Sequence, residues 1–230
     1  MIGVFDSGAG GAYCARLLAG LLPQADIVFY ADRENAPYGT KSETELRSLL
    51  LSDVEKLRSF GAERIFAACG TAGSVMLNSP EEPTFDGIAN VLVPTAKAAT
   101  EATQNGYIGV IATARTASSG IYGKLIRALC PACQVMEIPA QPLVSLAETP
   151  PCLRNPDDVR TAAEKIRAEF GEFEPDTLIL GCTHFSCLKR ALADTFSVRR
   201  MIGCAEEGTR AFAASLGERE KHGSGRLIFL

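Results

Sequence analysis

The sequence predicts an α/β protein of two similar lobes, each a mostly parallel sheet flanked by helices, with the active site in the cleft between them. Three observations carry this. Short, continuous apolar runs alternate with helix-like stretches along the chain, the pattern of parallel strands covered on both faces. IGVFDSG (2–8) is echoed by IGVIATA (108–114), and AACGT (67–71) by LGCTH (180–184), which suggests two lobes of the same build. Asp6, Cys69, Thr113 and Cys182 all fall at the ends of apolar runs, and open α/β sheets gather ligands at the carboxyl ends of their strands.

Each element has its own signal. IGVFD (2–6) meets the glycine-rich turn DSGAGG and predicts a strand leading into a helix over 11–22. DIVFYA (26–31) is a second strand, followed by Asp32 and the turn APYGTKS (36–42). A helix over 42–60 comes next, with Thr40 or Ser42 placed to cap its first turn through a side-chain oxygen. RIFAAC (64–69) is a strand ending on Cys69. Then follow a helix over 94–104, strand IGVIAT (108–113), a helix over 116–128 and strand QVMEIP (134–139). A helix over 156–170, strand TLILGC (177–182) and a helix over 186–195 complete the alternation. PEEP (80–83), TPPCLRNP (149–156) and GEFEP (171–175) read as surface loops. The closing HGSGRLIFL ends in an apolar run that suits a strand. The first lobe is expected over 1–93 and the second over 94–196, with part of the segment from about 197 to 230 packing back on the first.

Composition narrows the partners. The 230 residues are 47% hydrophobic and 22% charged, enough apolar content for a sizeable core. A net charge of −4 argues against nucleic acid or an acidic membrane as main partner, because both need clustered Lys and Arg. It leaves room for a small anionic substrate held by backbone amides. The N-terminus has no basic region, long apolar stretch or cleavage pattern, and no apolar run approaches the ~18–20 residues of a membrane span. The expectation is a soluble, cytoplasmic protein. Its eight cysteines, at 14, 69, 130, 133, 152, 182, 187 and 204, then read as reduced thiols, most of them packing residues.

Two of the eight ask for more. Cys69 in ACGTAGS and Cys182 in GCTHFSC each lie just after an apolar strand and before a helix, where the helix N-terminus is expected to lower a thiol pKa. His184, one of only two histidines, stands beside the second. A zinc site needs three or four ligands, and CPAC (130–133) offers two with no second pair. A cysteine hydrolase would use Cys182 with His184 and leave Cys69 idle. Two opposed acid/base thiols use both. The turn at Asp6 and Ser7 fails the dinucleotide fingerprint, since Tyr13 stands where its third glycine belongs. It reads either as a tight strand-to-helix turn or as polar groups at the cleft with glycines that let a ligand approach.

In this order, IGVFDSGAGG, APYGTKS, ACGTA, QPLVSLAE and DTLILGCTHF resemble glutamate racemase, of the aspartate/glutamate racemase superfamily. The resemblance spans roughly residues 1–196. It implies cofactor-independent racemisation of L- and D-glutamate, supplying D-glutamate for peptidoglycan, cell-wall biogenesis and cell shape. It implies no metal, pyridoxal phosphate or nucleotide, and it leaves room for a homodimer. Carried over by position, Cys69 and Cys182 are the two bases on opposite faces of Cα, assisted by Asp6, His184 and Glu148. Ser7, Pro37, Tyr38, Gly39, Gly70, Thr71, Thr113 and Thr183, with Asp6 and His184, line the substrate site.

The chain departs from the family pattern at Gly70, where the family has Asn, and at Phe185-Ser186-Cys187 in place of Tyr-Pro-Leu. The missing amide at position 70 predicts weaker substrate binding and a gain on Gly70→Asn. Racemisation of aspartate or a related small carboxylic acid, and a binding or regulatory protein that has lost turnover, stay open beside the glutamate reading.

Overall fold

The computed structural model describes Met1–Leu230 throughout. Its strands are β1 (Ile2–Asp6), β2 (Ile27–Ala31), β3 (Arg64–Ala67), β4 (Ala89–Asn90), β5 (Tyr107–Ala112), β6 (Gln134–Pro139), β7 (Thr177–Leu180), β8 (Arg200–Gly203) and β9 (Leu227–Phe229). The helices are α1 (Ala9–Leu21), α2 (Glu43–Ser59), α3 (Gly70–Asn78), α4 (Leu92–Ala102), α5 (Ala114–Ser119) and α6 (Ile121–Leu129), then α7 (Gln141–Glu148), α8 (Pro156–Ala168), α9 (Lys189–Thr195), α10 (Cys204–Ser215) and α11 (Glu218–Lys221). No helix is long and apolar enough to cross a membrane.

The strands form two sheets, ordered β4-β3-β1-β2-β9 and β6-β5-β7-β8, and every pairing is parallel. Read from its other edge, the second sheet runs β8-β7-β5-β6, which repeats β4-β3-β1-β2 strand for strand. In each sheet the chain leaves the first strand toward one edge and later returns to its other side. The crevice between β1 and β3, and that between β5 and β7, is therefore the place where such a sheet binds ligands. Register makes the equivalence close. The Ala68 amide donates to the Phe5 carbonyl, and the Gly181 amide donates to the Ile111 carbonyl. Cys69 and Cys182 are the next residues in each.

The two sheets share a core. One apolar cluster contains Ile2 and Val4 of β1, Ile108 and Val110 of β5, Leu18 of α1, Ala96 of α4 and Phe212 of α10. Helices α1, α4 and α10 thus lie between the sheets and fix their relative position. The outer face of the first sheet packs under α2 through Leu46, Leu50, Val54 and Leu57. That of the second packs under α8 through Val159, Ala163 and Ile166.

Some elements differ from expectation. The helix expected over 116–128 is broken into α5 and α6 at Gly120, which has φ +61°, a conformation that costs a residue with Cβ about 1–2 kcal/mol. The second sheet takes its edge strand from Arg200–Gly203, past the expected end of its lobe at 196. The terminal apolar run, by contrast, forms the strand that its sequence suits, β9, paired with β2. Ser42, rather than Thr40, caps α2, accepting from the Glu45 amide at 3.3 Å.

Candidate active site

The two cysteines occupy twin backbone positions. Cys69 precedes α3 with φ −119° and ψ 124°. Cys182 precedes a 3-10 turn, Thr183–Leu188, with φ −124° and ψ 135°. Both are buried, at 6% exposure, and both line one cleft between the lobes. Every residue that the sequence singled out lines the same cleft: Asp6, Ser7, Pro37, Tyr38, Gly39, Gly70, Thr71 and Thr113, and Glu148, Thr183 and His184. Gln141, Val144 and Gly181 line it too and were not expected. A signal for two of them was available. Gln141 and Val144 precede Glu148 by seven and four residues, the spacing of one helix face, and all three are on α7.

Each thiol has its own polar partners. On the Cys182 side the His184 Nδ1 lies 3.5 Å from Sγ, and the His184 Nε2 lies 3.2 Å from the Glu148 Oε1. Burial by itself would lower the His184 pKa, but Cys182, Glu148 and Asp6 outweigh it and push the imidazole up to about 11. Its cation donates to Cys182 and Glu148 together. The hydrogen bond from His184 holds the Glu148 carboxyl below the usual carboxylate range, against the opposing effect of burial. The Gly10 amide also approaches Nε2, at 3.3 Å. An imidazolium has no lone pair to accept that bond, so the Gly10 contact needs an unprotonated Nε2 and the Glu148 contact a protonated one. A charged His184 selects Glu148.

The Cys69 side is different. Ser7 Oγ lies 4.0 Å from Cys69 Sγ and 3.3 Å from Asp6 Oδ1, so the serine links thiol to carboxylate. Asp6 also accepts from the Gly8 amide at 3.1 Å and from Thr183 Oγ1 at 2.9 Å. Burial pushes the Asp6 carboxyl up, while His184 and these donors pull it back in part. Burial likewise pushes the Cys69 thiol up, and the Asp6 charge adds to it, while the amides of Ala72 and Ser7 oppose. The lowered pKa expected from the helix N-terminus is overturned at Cys69. A desolvated thiol beside a carboxylate outweighs a few oriented amides.

Hydrogen bonds between the lobes close the cleft. Besides Asp6 and Thr183, Thr71 Oγ1 lies 2.9 Å from Thr113 Oγ1, and Arg115 donates to the Lys41 carbonyl at 2.8 and 3.0 Å. Only about 20 Å³ of the cleft is open to the centre of a water molecule, roughly room for one.

Residues 2–211 match the family model of Asp/Glu/Hydantoin racemase. The chain belongs to this racemase family. It is 32% identical to the glutamate racemase of Oceanobacillus iheyensis over 210 residues, which cover 91% of this chain and 76% of that protein. The fold matches glutamate racemase isoform RacE1 from Bacillus anthracis with a TM-score of 0.90 at 29% identity, covering 100% of this chain and 86% of the other. It matches glutamate racemase from Francisella tularensis, solved in complex with D-glutamate, with a TM-score of 0.87 at 26% identity, covering 99% and 85%. Membership makes the chain an isomerase of the racemase class.

Within this racemase fold Gly70 has a structural reason that the sequence did not reveal. A β-carbon on Gly70 would stand 2.5 Å from the Gly181 carbonyl oxygen, well inside contact distance. Both partners are backbone, so neither can swing aside. The two cysteine loops approach each other directly here because position 70 has no side chain. In this closed shape an Asn at position 70 would wedge the loops apart, so the structure points to weaker binding in Gly70→Asn, opposite to the gain expected from the sequence.

Proposed function

We propose that the chain interconverts L- and D-glutamate by proton transfer at Cα between Cys69 and Cys182. The observation that carries this reading is the pair of thiols at equivalent positions of two repeated sheets, facing one cleft, each with its own acid/base partner. Glutamate as substrate is supported by the names of the relatives.

Racemisation removes a proton from Cα and returns one to the opposite face, so one sulfur starts as thiolate and the other as thiol. With L-glutamate the mechanism needs the thiolate at Cys182, which His184 contacts at 3.5 Å, and a neutral thiol at Cys69, which burial beside Asp6 favours. In that state Cys182 takes the proton from L-glutamate and Cys69 delivers one to the other face. D-glutamate meets the reverse arrangement. Cα–H is a far weaker acid than a thiol, so the site must stabilise the carbanion. The amides of Gly70 and Thr71 that open α3 and the hydroxyls of Ser7, Thr71, Thr113 and Thr183 are the groups available to hold the α-carboxylate. Side chains supply all the acid/base chemistry, so the reading needs no cofactor or metal, and D-glutamate made this way would feed peptidoglycan assembly.

The test is to incubate each pure enantiomer of glutamate and of aspartate with the protein in D2O. Deuterium at Cα of both glutamate enantiomers, with the opposite enantiomer formed, is expected. Label on aspartate alone, or on neither amino acid, contradicts the reading.

A further inference from the structure

Beneath the Pro37-Tyr38-Gly39 turn lies a polar group that the two-thiol chemistry does not use. The Tyr38 hydroxyl oxygen is 2.6 Å from Asp32 Oδ2 and 2.7 Å from Asp53 Oδ2. All three residues are buried. A phenol has one proton and can donate to one carboxylate only. The second short contact needs a second proton, carried on one of the carboxyls.

The remaining partners decide which. Asp32 Oδ1 also accepts from the Asn35 amide at 2.9 Å and faces the Tyr30 hydroxyl at 3.4 Å, so donors compensate its charge. The Asp53 side chain has Tyr38 as its one hydrogen-bond partner. The titratable groups facing Asp53 are Tyr38 from the turn, Asp32 and Tyr30 from β2 and its end, and Lys56 from the next turn of α2. Lys56 favours the charged form, but its ammonium rests over the Tyr30 ring at 3.9 Å. The geometry gives one order: Asp53 donates to Tyr38, and Tyr38 donates to Asp32.

This chain of two protons supports the cleft wall. Tyr38 and Gly39 line the site, and Gly39 is packed so closely on Thr113 and Gln141 of the second lobe that a β-carbon there would meet both below 3 Å. We propose that Asp53 is a positioning residue whose carboxyl proton holds this turn in its closed shape, so that substrate binding weakens when the proton is lost. Loss of the proton puts two carboxylates on one phenol, and the turn moves to separate them. Burial, together with the nearby Asp32 charge, pushes the Asp53 carboxyl up to about 7, despite the Tyr38 hydrogen bond and Lys56. The weakening thus falls in the neutral range. The substrate part of this inference rests on the glutamate reading above.

Two measurements test it. Infrared difference spectra of the wild type across neutral pH, compared with Asp53→Asn, read the neutral carboxyl directly and need no substrate. The expected result is a carboxylic-acid carbonyl band that titrates near neutrality and is absent from Asp53→Asn. In parallel, the KM for glutamate in the wild type should rise up to roughly tenfold per pH unit above the Asp53 pKa. In Asp53→Asn, whose amide still donates to Tyr38, that rise should be absent. A wild type with no such band, or an alkaline rise in KM that persists unchanged in Asp53→Asn, would overturn the proposal. If glutamate is not turned over at all but the band titrates as described, the substrate assignment fails and the protonated Asp53 stands.

Discussion

At the scale of single residues, the asymmetry between the thiols has consequences that can be measured. His184 is held as a cation to about pH 11, far above its ordinary value of about 6.5. The rate with L-glutamate should therefore show no loss of an imidazole proton near pH 6.5. His184→Asn removes the cation in contact with Cys182 and should lower kcat from L-glutamate by about a hundredfold, the low end of what a positioned acid/base group contributes. The linkage has a definite sign. A histidine whose folded pKa is raised stabilises the fold fully below its unfolded pKa, and that contribution is lost as pH rises through about 11. Thermal melts of wild type and His184→Asn should thus converge as pH is raised toward that value. Gly70 makes the opposite kind of claim, about space. Forcing atoms into a packed contact costs typically about 1–3 kcal/mol, so Gly70→Asn should raise the KM for glutamate by roughly tenfold or more. A lower KM in Gly70→Asn would show that the Gly181 carbonyl can give way and that the amide reaches substrate.

At the scale of elements, the site is built from strand ends and helix starts, and those are set locally. α2 illustrates this: Ser42 caps it, Glu43 and Glu45 sit in its first turn, and Lys56 and Arg58 sit in its last, each sign matched to the helix dipole. Ser42→Ala should lower stability by about 1 kcal/mol, read as a shift in the denaturant midpoint with unchanged slope. These local signals are why most of the fold could be read in advance. β1 and β6 keep the limits that their apolar runs gave, and β3 and β7 stop two residues short of the cysteines. Signals failed where tertiary contact decides. β4 is two residues long and exists because β3 lies beside it. α10, packed against α1 and α4, was not assigned, although Cys204, Ala205, Gly208 and Phe212 give it a buried face. Asp53 looks like one more charge on an amphipathic helix, and only the fold brings Tyr38 and Asp32 to it.

At the scale of the whole molecule, duplication explains the site. Two sheets with the same strand order meet through α1, α4 and α10, so their switch points face one another and the two cysteine loops converge. The echo between residues 2–8 and 108–114 made that arrangement legible, because repeated strands imply repeated strand ends. The distance of approach was not legible, since it depends on Gly70 meeting the Gly181 carbonyl across the lobes. With about 20 Å³ open to water, the cleft is too small for an amino acid, and the contacts of Asp6 with Thr183 and of Thr71 with Thr113 must yield for one to enter. On the proposed mechanism, closure would then exclude water while the carbanion exists. The central claim is that one sulfur serves each face of Cα. Its most direct test is deuterium incorporation from D2O into pure L- and pure D-glutamate by Cys69→Ser and Cys182→Ser, with the product enantiomer measured in the same samples. Neither variant is expected to racemise; Cys69→Ser should label L-glutamate alone, and Cys182→Ser should label D-glutamate alone. Racemisation near the wild-type rate in either variant, or labelling of the same enantiomer by both, would contradict it.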